Sequence, residues 1–391
     1  MNYEPFTIDI PDADLVDLRS RLQRTRLAPE FANADWGFGT NAKYLQELLD
    51  YWANDYDWRT HEAEINRAPN FKTTIDGIPI HFMYEKGKGP NPMPLILSHG
   101  WPWTFWDWHK VIGPLTDPTA HGGDPNDSFD VIVPSVPGFG FSTPLTSTGI
   151  NFWRSADLWV SLMRDVLGYD KFAAGGGDWG SLTTAQLGHK YADHMIGVYI
   201  LLMAPLTLFN EPVDTLPDES EFAEEEAGWY AQNQSFFLDG SGYSAIQSTR
   251  PQTIAYAMND SPAGLCAWLL EKRRAWSDCG GDVESRFTKD ELLTGFSIYW
   301  FTQSYGTTAR YYYECTHNQW QPSHGRHPVV ETPVGVGAYS GEAFFMPKSW
   351  AEQYYNLRHW TMMSPGGHFA PMEEPETLTA DIRKFFRTLR G

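Results

Sequence analysis

At 391 residues, with 42% hydrophobic and 15% aromatic residues, the chain is long enough for a deep core and too apolar to be disordered. Its formal charge of -20, from 29 Lys and Arg against 49 Asp and Glu, repels phosphate backbones and anionic bilayers, which excludes nucleic acid as a partner. The three cysteines, Cys266, Cys279 and Cys315, form neither a CxxC pair nor a zinc-finger spacing, so neither a disulfide framework nor a structural metal is expected and a reducing, cytoplasmic compartment fits.

The opening MNYEPFTIDIPDADLVDLRSRLQRT has no basic stretch leading into an apolar run, so no signal peptide is expected. No later run reaches about 18 apolar residues, so no membrane span is expected either. Asp12 or Asp14 is placed to cap a helix carrying Leu15, Leu18 and Leu22 on one face, and NAKYLQELLDYW has similar spacing. Residues 1–70 therefore read as a helical extension that packs on a larger core. FKTTIDGIPIHFMYE then reads as a hairpin around the Asp76-Gly77 turn.

Short apolar runs and amphipathic helices alternate from there: PLILSHG with WDWHKVIGPL, FDVIVPSVPG with ADLWVSLMRDVLG, KFAAGGG with SLTTAQLGHKYADHM, and then IGVYILLM. This is the pattern of a doubly wound, mostly parallel α/β sheet covered on both faces. The alternation stops over 206–332, which is acidic at DESEFAEEEAGWY and rich in Trp and Tyr, and reads as an inserted helical cap. It resumes with strand PVGVGAYS, helix SWAEQYYNLRHW, strand HWTMMSPGG and helix ETLTADIRKFFRTLR, so 71–205 and 333–391 form one core.

At the carboxyl end of KFAAGGG, the segment GGGDWGS gives Gly176-x-Asp178-x-Gly180. This is the spacing of the GxSxG nucleophile elbow of the α/β-hydrolase fold, with Asp in place of Ser. An ionised carboxylate, of ordinary pKa about 3.9, can displace a leaving group at saturated carbon directly and forms an ester that water can cleave. Such a cycle needs a base, a group that orients it, and donors for an oxyanion. His368, in SPGGHFAPMEEPE after the last strand, is the candidate base, and Glu342, in GAYSGEAFFMP, is the candidate acid, with Glu331, Glu373 and Glu374 as rivals. The backbone N–H groups of Trp101, in SHGWPW, and of Trp179 are the candidate oxyanion donors.

Together these motifs resemble the epoxide hydrolases of the microsomal type. The resemblance runs through FTIDIPDADLVDLRSRLQRTR, YDWRTHEAEINRAPNF, HGWPW, GGGDWGS, GYSAIQSTRPQTIAYAMNDSPAGLCAWLLEK and GGHFAPMEEPETLTADIRKFF. It implies an α/β-hydrolase fold that converts an apolar or aromatic epoxide and water to a vicinal diol, with no cofactor and no metal. It makes Asp178 the nucleophile, Glu342 the charge-relay acid, His368 the base, and Trp101 and Trp179 the oxyanion donors. It also implies two cap tyrosines that protonate the epoxide oxygen: Tyr243, and one in RYYYE, taken as Tyr312 with Tyr311 and Tyr313 as neighbours in question. The membrane anchor of the mammalian members is absent, which implies a soluble relative, and a homodimer is compatible with the resemblance. Trp103 and Thr104 stand where the family commonly has small residues, and are expected to narrow the pocket mouth. The haloalkane dehalogenases, which also use an Asp elbow, and a non-hydrolytic protein on the same scaffold are the alternatives. The choice of epoxide, and a role in detoxification, catabolism or biosynthesis, stay open.

Overall fold

The computed structural model describes residues 3–210 and 217–390. Nine strands form one sheet: β1 (Glu4–Pro5), β2 (Asn70–Ile75), β3 (Ile78–Glu85), β4 (Met93–Ser98), β5 (Phe129–Pro134), β6 (Phe172–Gly176), β7 (Met195–Ile200), β8 (Val330–Gly341) and β9 (Tyr355–Gly367). Their order is β1-β2-β3-β5-β4-β6-β7-β8-β9, with the first three antiparallel to their neighbours and the rest parallel. The β2–β3 hairpin turns at Asp76 and Gly77, both at positive φ (52° and 78°), which suits a two-residue turn and the right-handed twist of its strands.

Helices α1 (Asp12–Gln23), α2 (Ala42–Asn54) and α3 (Trp58–Ile65) precede the sheet. Helices α4 (His109–Thr116), α5 (Phe152–Ser161) and α6 (Trp179–Lys190) cross between its parallel strands. The region expected as a cap carries α7 (Ala227–Ser235), α8 (Gly242–Thr249), α9 (Pro251–Asp260), α10 (Pro262–Ala275), α11 (Lys289–Thr302) and α12 (Tyr305–His317), while 211–216 lie outside the described residues. The chain ends with α13 (Lys348–Tyr354), α14 (Ala370–Glu373) and α15 (Pro375–Arg387).

Two local expectations need correction. Neither Asp12 nor Asp14 caps α1: Pro11 holds the cap position, and both aspartates lie in the first turn, where the helix dipole favours them. Residues 355–360, expected as the end of a helix, are strand, because they pair with β8 from Val330 to Val336, in a ladder broken by two register shifts. The N-terminal segment meets the core through the β1–β2 pairing and through Phe6, whose ring lies 5.6 Å from those of His81 and Phe141, and its helices also contact the 206–332 region. Trp52 Nε1 donates to Ser297 Oγ at 3.2 Å, Thr40 Oγ1 to Ala267 O at 2.7 Å, and Arg21 pairs with Asp260 at 2.9 Å. Helices α1 and α2 contact α10, and α2 and α3 contact α11. The extension thus straps the cap to the core.

Candidate active site

The turn from β6 into α6 is tight because its glycines have no side chains. A Cβ on Gly176 would stand 2.2 Å from Gly180 O, and one on Gly180 would stand 2.0 Å from Ser98 O. That closeness drives Asp178 to φ 53°, ψ -127°, a conformation an L-residue adopts only under strain, of about 1–3 kcal/mol. The side chain is thereby lifted off the end of the sheet, where parallel strands present ligands.

The Asp178 carboxylate keeps 12% exposure. Its Oδ1 accepts the Trp101 N–H at 2.8 Å, and the Trp179 N–H bonds the carboxylate as well. Its Oδ2 lies 3.6 Å from His368 Nε2. Burial raises the Asp178 pKa, while His368 and the two N–H groups oppose that rise. Gly100 has no room for a Cβ, which would meet Asp178 Oδ1 at 2.0 Å, so the HGWPW loop can close on the carboxylate.

His368 follows β9, and its backbone N–H donates to Trp276 O at 2.8 Å. Its Nδ1 lies 2.7 Å from Glu342 Oε1, which also accepts the Ala343 N–H at 2.7 Å. With Nδ1–H donated to that carboxylate, Nε2 faces Asp178 and has no other partner among the described residues. Burial works to lower the His368 pKa, but the Glu342 charge and hydrogen bond, with Asp178 behind them, raise it overall.

The rival acids lie elsewhere. Glu331 pairs with Arg326, and Glu374 with Arg286 at 2.7 Å. Glu373 lies beneath the His368 loop and accepts the N–H groups of Phe369 and Asp278 at 2.9 and 2.8 Å. Burial lifts its pKa to about 7.

Above Asp178 is a cavity of about 300 Å³, lined by Asp178, Glu342, His368, Tyr243 and Tyr312 and by apolar side chains such as Trp179, Phe209, Phe236 and Trp276. Tyr243 of α8 and Tyr312 of α12 are hydrogen-bonded to each other, with ring centroids 5.8 Å apart. Burial foremost pushes both phenols up, aided by the Asp178 charge, so both stay protonated at neutral pH. The neighbours of Tyr312 point elsewhere: Tyr311 OH bonds Ser155 Oγ at 2.9 Å, and the Tyr313 ring stacks on His317 at 3.8 Å. On a helix, successive side chains diverge by about 100°, so one of three consecutive tyrosines faces the cavity.

Trp103 does not narrow the mouth. It is fully buried behind the site, its ring 5.5 Å from that of His368 and against Gly177. Thr104 caps the short helix after it, accepting the Trp106 N–H at 3.2 Å. Two residues escaped the sequence reading. Trp276 touches both Tyr243 and His368 rings, at 5.0 and 5.2 Å. Arg273 pairs with Asp107 at 2.5 Å, both buried, and lies 4.1 Å over the Phe369 ring, so it joins α10 to the segment after HGWPW and to the loop that carries His368. The signal for Trp276 was the recurrence of Trp268, Lys272 and Trp276 at every fourth position. For Arg273, only the fold supplies Asp107.

The family model for the epoxide hydrolase N terminus matches residues 3–108, and that for the alpha/beta hydrolase fold matches 93–252. A putative epoxide hydrolase of Stigmatella aurantiaca is 43% identical over 99% of this chain and 85% of its own. Epoxide hydrolase 1 of Sus scrofa is 35% identical over 98% of this chain and 88% of its own. The chain belongs to the epoxide hydrolase family. It is a hydrolase acting on the ether bond of epoxides, on an α/β-hydrolase fold. The solved structure of Aspergillus niger epoxide hydrolase superposes with a TM-score of 0.86 at 28% identity, over 100% of this chain and 97% of that one. Among the described residues, no helix is long and apolar enough to cross a membrane and no cluster of His, Cys, Asp and Glu could hold a metal ion.

Proposed function

We propose that this epoxide hydrolase works through an ester on Asp178. Asp178 attacks an epoxide carbon, the ring C–O bond breaks, and a phenolic proton of Tyr243 or Tyr312 passes to the departing oxygen, leaving a tyrosinate. The ester carbonyl oxygen then occupies the place held by Asp178 Oδ1, facing the Trp101 and Trp179 N–H groups, which stabilise the oxyanion of the second step. His368, oriented by Glu342, takes a proton from water as the water oxygen adds to the ester carbonyl. Collapse expels the diol oxygen, which takes that proton. The resulting Asp178 acid gives its proton up through solvent, and the tyrosinate regains one. Esterification also removes the Asp178 charge, one of the groups that raise His368, and so favours the neutral imidazole that the second step needs.

The observation that carries this reading is the pairing of Asp178 with both halves of the machinery in one cavity: an imidazole at 3.6 Å and two phenols. The apolar lining favours an aryl or alkyl epoxide with no charged group. The expected product is a vicinal diol.

His368→Gln treated with styrene oxide should accumulate a mass adduct on the peptide containing Asp178, and Asp178→Ala should show none. Release of halide from haloalkanes without diol from epoxides would overturn the reading in favour of dehalogenation. Absence of any adduct with aryl, terminal and disubstituted epoxides would overturn the covalent route.

A further inference from the structure

Lysine is rarely buried without a reason, since stripping water from an ammonium is costly. Lys272 on α10 is 6% exposed. It occupies the middle of the stripe formed by Trp268, Lys272 and Trp276, which turns towards α8. Its ammonium stands 5.1 Å over the Tyr243 ring, 5.8 Å over Trp268 and 5.7 Å over Trp276. Its carboxylate partner is the adjacent Glu271, whose side chain is 31% exposed. Trp101 stacks on Tyr243 at 5.0 Å and 9°, so the phenol is fixed by rings as well as by the cation.

The cycle above gives no task to this lysine, but its place has a chemical consequence. A neutral phenol attracts a cation only through its ring quadrupole. Once its proton has left for the epoxide oxygen, the ring carries a full negative charge, and the same ammonium then attracts it as an ion. The interaction is stronger in the transition state than in the resting enzyme, which is the condition for accelerating a step.

We propose that Lys272 is a positioning residue for ring opening: caged by Trp268 and Trp276, its ammonium holds the Tyr243 phenol and stabilises the phenolate that forms as Tyr243 protonates the opening epoxide. This rests on the reading of Tyr243 as a proton donor. The electron pair of the breaking O–H bond stays on the Tyr243 oxygen, and Lys272 keeps its own proton throughout. With the Glu271 carboxylate beside the ammonium offsetting part of its charge, the expected effect on alkylation is about tenfold.

Single-turnover experiments with excess enzyme and an aryl epoxide separate alkylation of Asp178 from hydrolysis of the ester. Lys272→Met should slow alkylation about tenfold and leave ester hydrolysis within about twofold. In a Tyr243→Phe background the same substitution should cost under about twofold, because the group it acts through is gone. Lys272→Arg should restore alkylation to within about threefold, and Glu271→Gln should leave it unchanged or faster. Lys272→Gln replaces Lys272→Met if the latter does not fold. Equal slowing of both half-reactions, or effects of Lys272→Met and Tyr243→Phe that multiply, would mean a purely structural role and overturn the proposal. If Tyr243→Phe alkylates at the wild-type rate, the donor assignment itself fails. If Tyr243→Phe is slow and Lys272→Met is not, the role of Lys272 alone fails.

Discussion

Glu342→Gln is the most informative single change at the site, because it removes a charge and little else. Glu342 is 5% exposed, and its Oε1 takes both the His368 Nδ1 contact and the Ala343 N–H, bonds that an amide oxygen can also accept. What disappears is the attraction between a carboxylate and an imidazolium whose charge centres lie about 4 Å apart, about 4 kcal/mol at an effective dielectric of about 20. Part of that is present in the resting enzyme, so about 2–3 kcal/mol should be lost at the transition state of ester hydrolysis, a factor of about 30 to 150. Alkylation by Asp178 does not use His368 as a base and should fall by less than about fivefold, so the ester should accumulate. Without Glu342, burial dominates the His368 pKa, so the acid limb of the hydrolysis rate should move to lower pH even as the plateau falls. Quenched-flow mass spectrometry across pH reads both quantities. Wild-type hydrolysis in Glu342→Gln, or a limb that stays in place or moves to higher pH, would refute the assignment. A larger loss in Glu373→Gln would transfer it.

The same pair has a signature in stability. His368 is raised above its unfolded value of about 6.5, so protonation favours the fold below that pH and the contribution is lost as pH rises through the folded value. The deficit of Glu342→Gln in chemical denaturation should therefore be larger at pH 6 than at pH 9. Arg273→Met should cost about 3–5 kcal/mol by leaving the buried Asp107 without its cation, and Asp107→Asn with Arg273→Met, which keeps an oxygen for the Thr104 N–H, should recover much of it; a single-variant loss under about 1 kcal/mol would contradict the bridging role. Gly180→Ala should abolish adduct formation and lower the melting temperature, because its Cβ collides with the Ser98 backbone; an active, stable variant would show that the elbow tolerates a wider turn.

Much of this protein is written in local pattern. Alternating apolar runs and amphipathic helices determine a covered parallel sheet, since each strand and helix must bury the face its own residues supply. The spacing Gly176-x-Asp178-x-Gly180 determines the elbow for the same reason, because the atoms that would collide lie within a few residues of one another or on the adjoining strand. Close packing accounts for Gly175 as well: a Cβ there would stand 2.9 Å from Leu97 Cδ2 on the neighbouring strand. The sequence also carried the chain order of Asp178, Glu342 and His368, which the structure brings together.

Choices among near neighbours belonged to tertiary structure. Tyr311, Tyr312 and Tyr313 are chemically identical, and only the packing of α12 against α8 and α9, with the Trp179 ring 4.7 Å from that of Tyr312, turns Tyr312 to the cavity. Four glutamates were competent acids, and the register of β8 against β9 brings Glu342 within 2.7 Å of His368. Residues 355–360 had amphipathic spacing fit for a helix, and the open edge of β8 made them a strand. The contacts of the N-terminal helices with the cap and the Arg273–Asp107 bridge join residues far apart in the chain. Their energies come from burial, and burial exists only once the chain has folded.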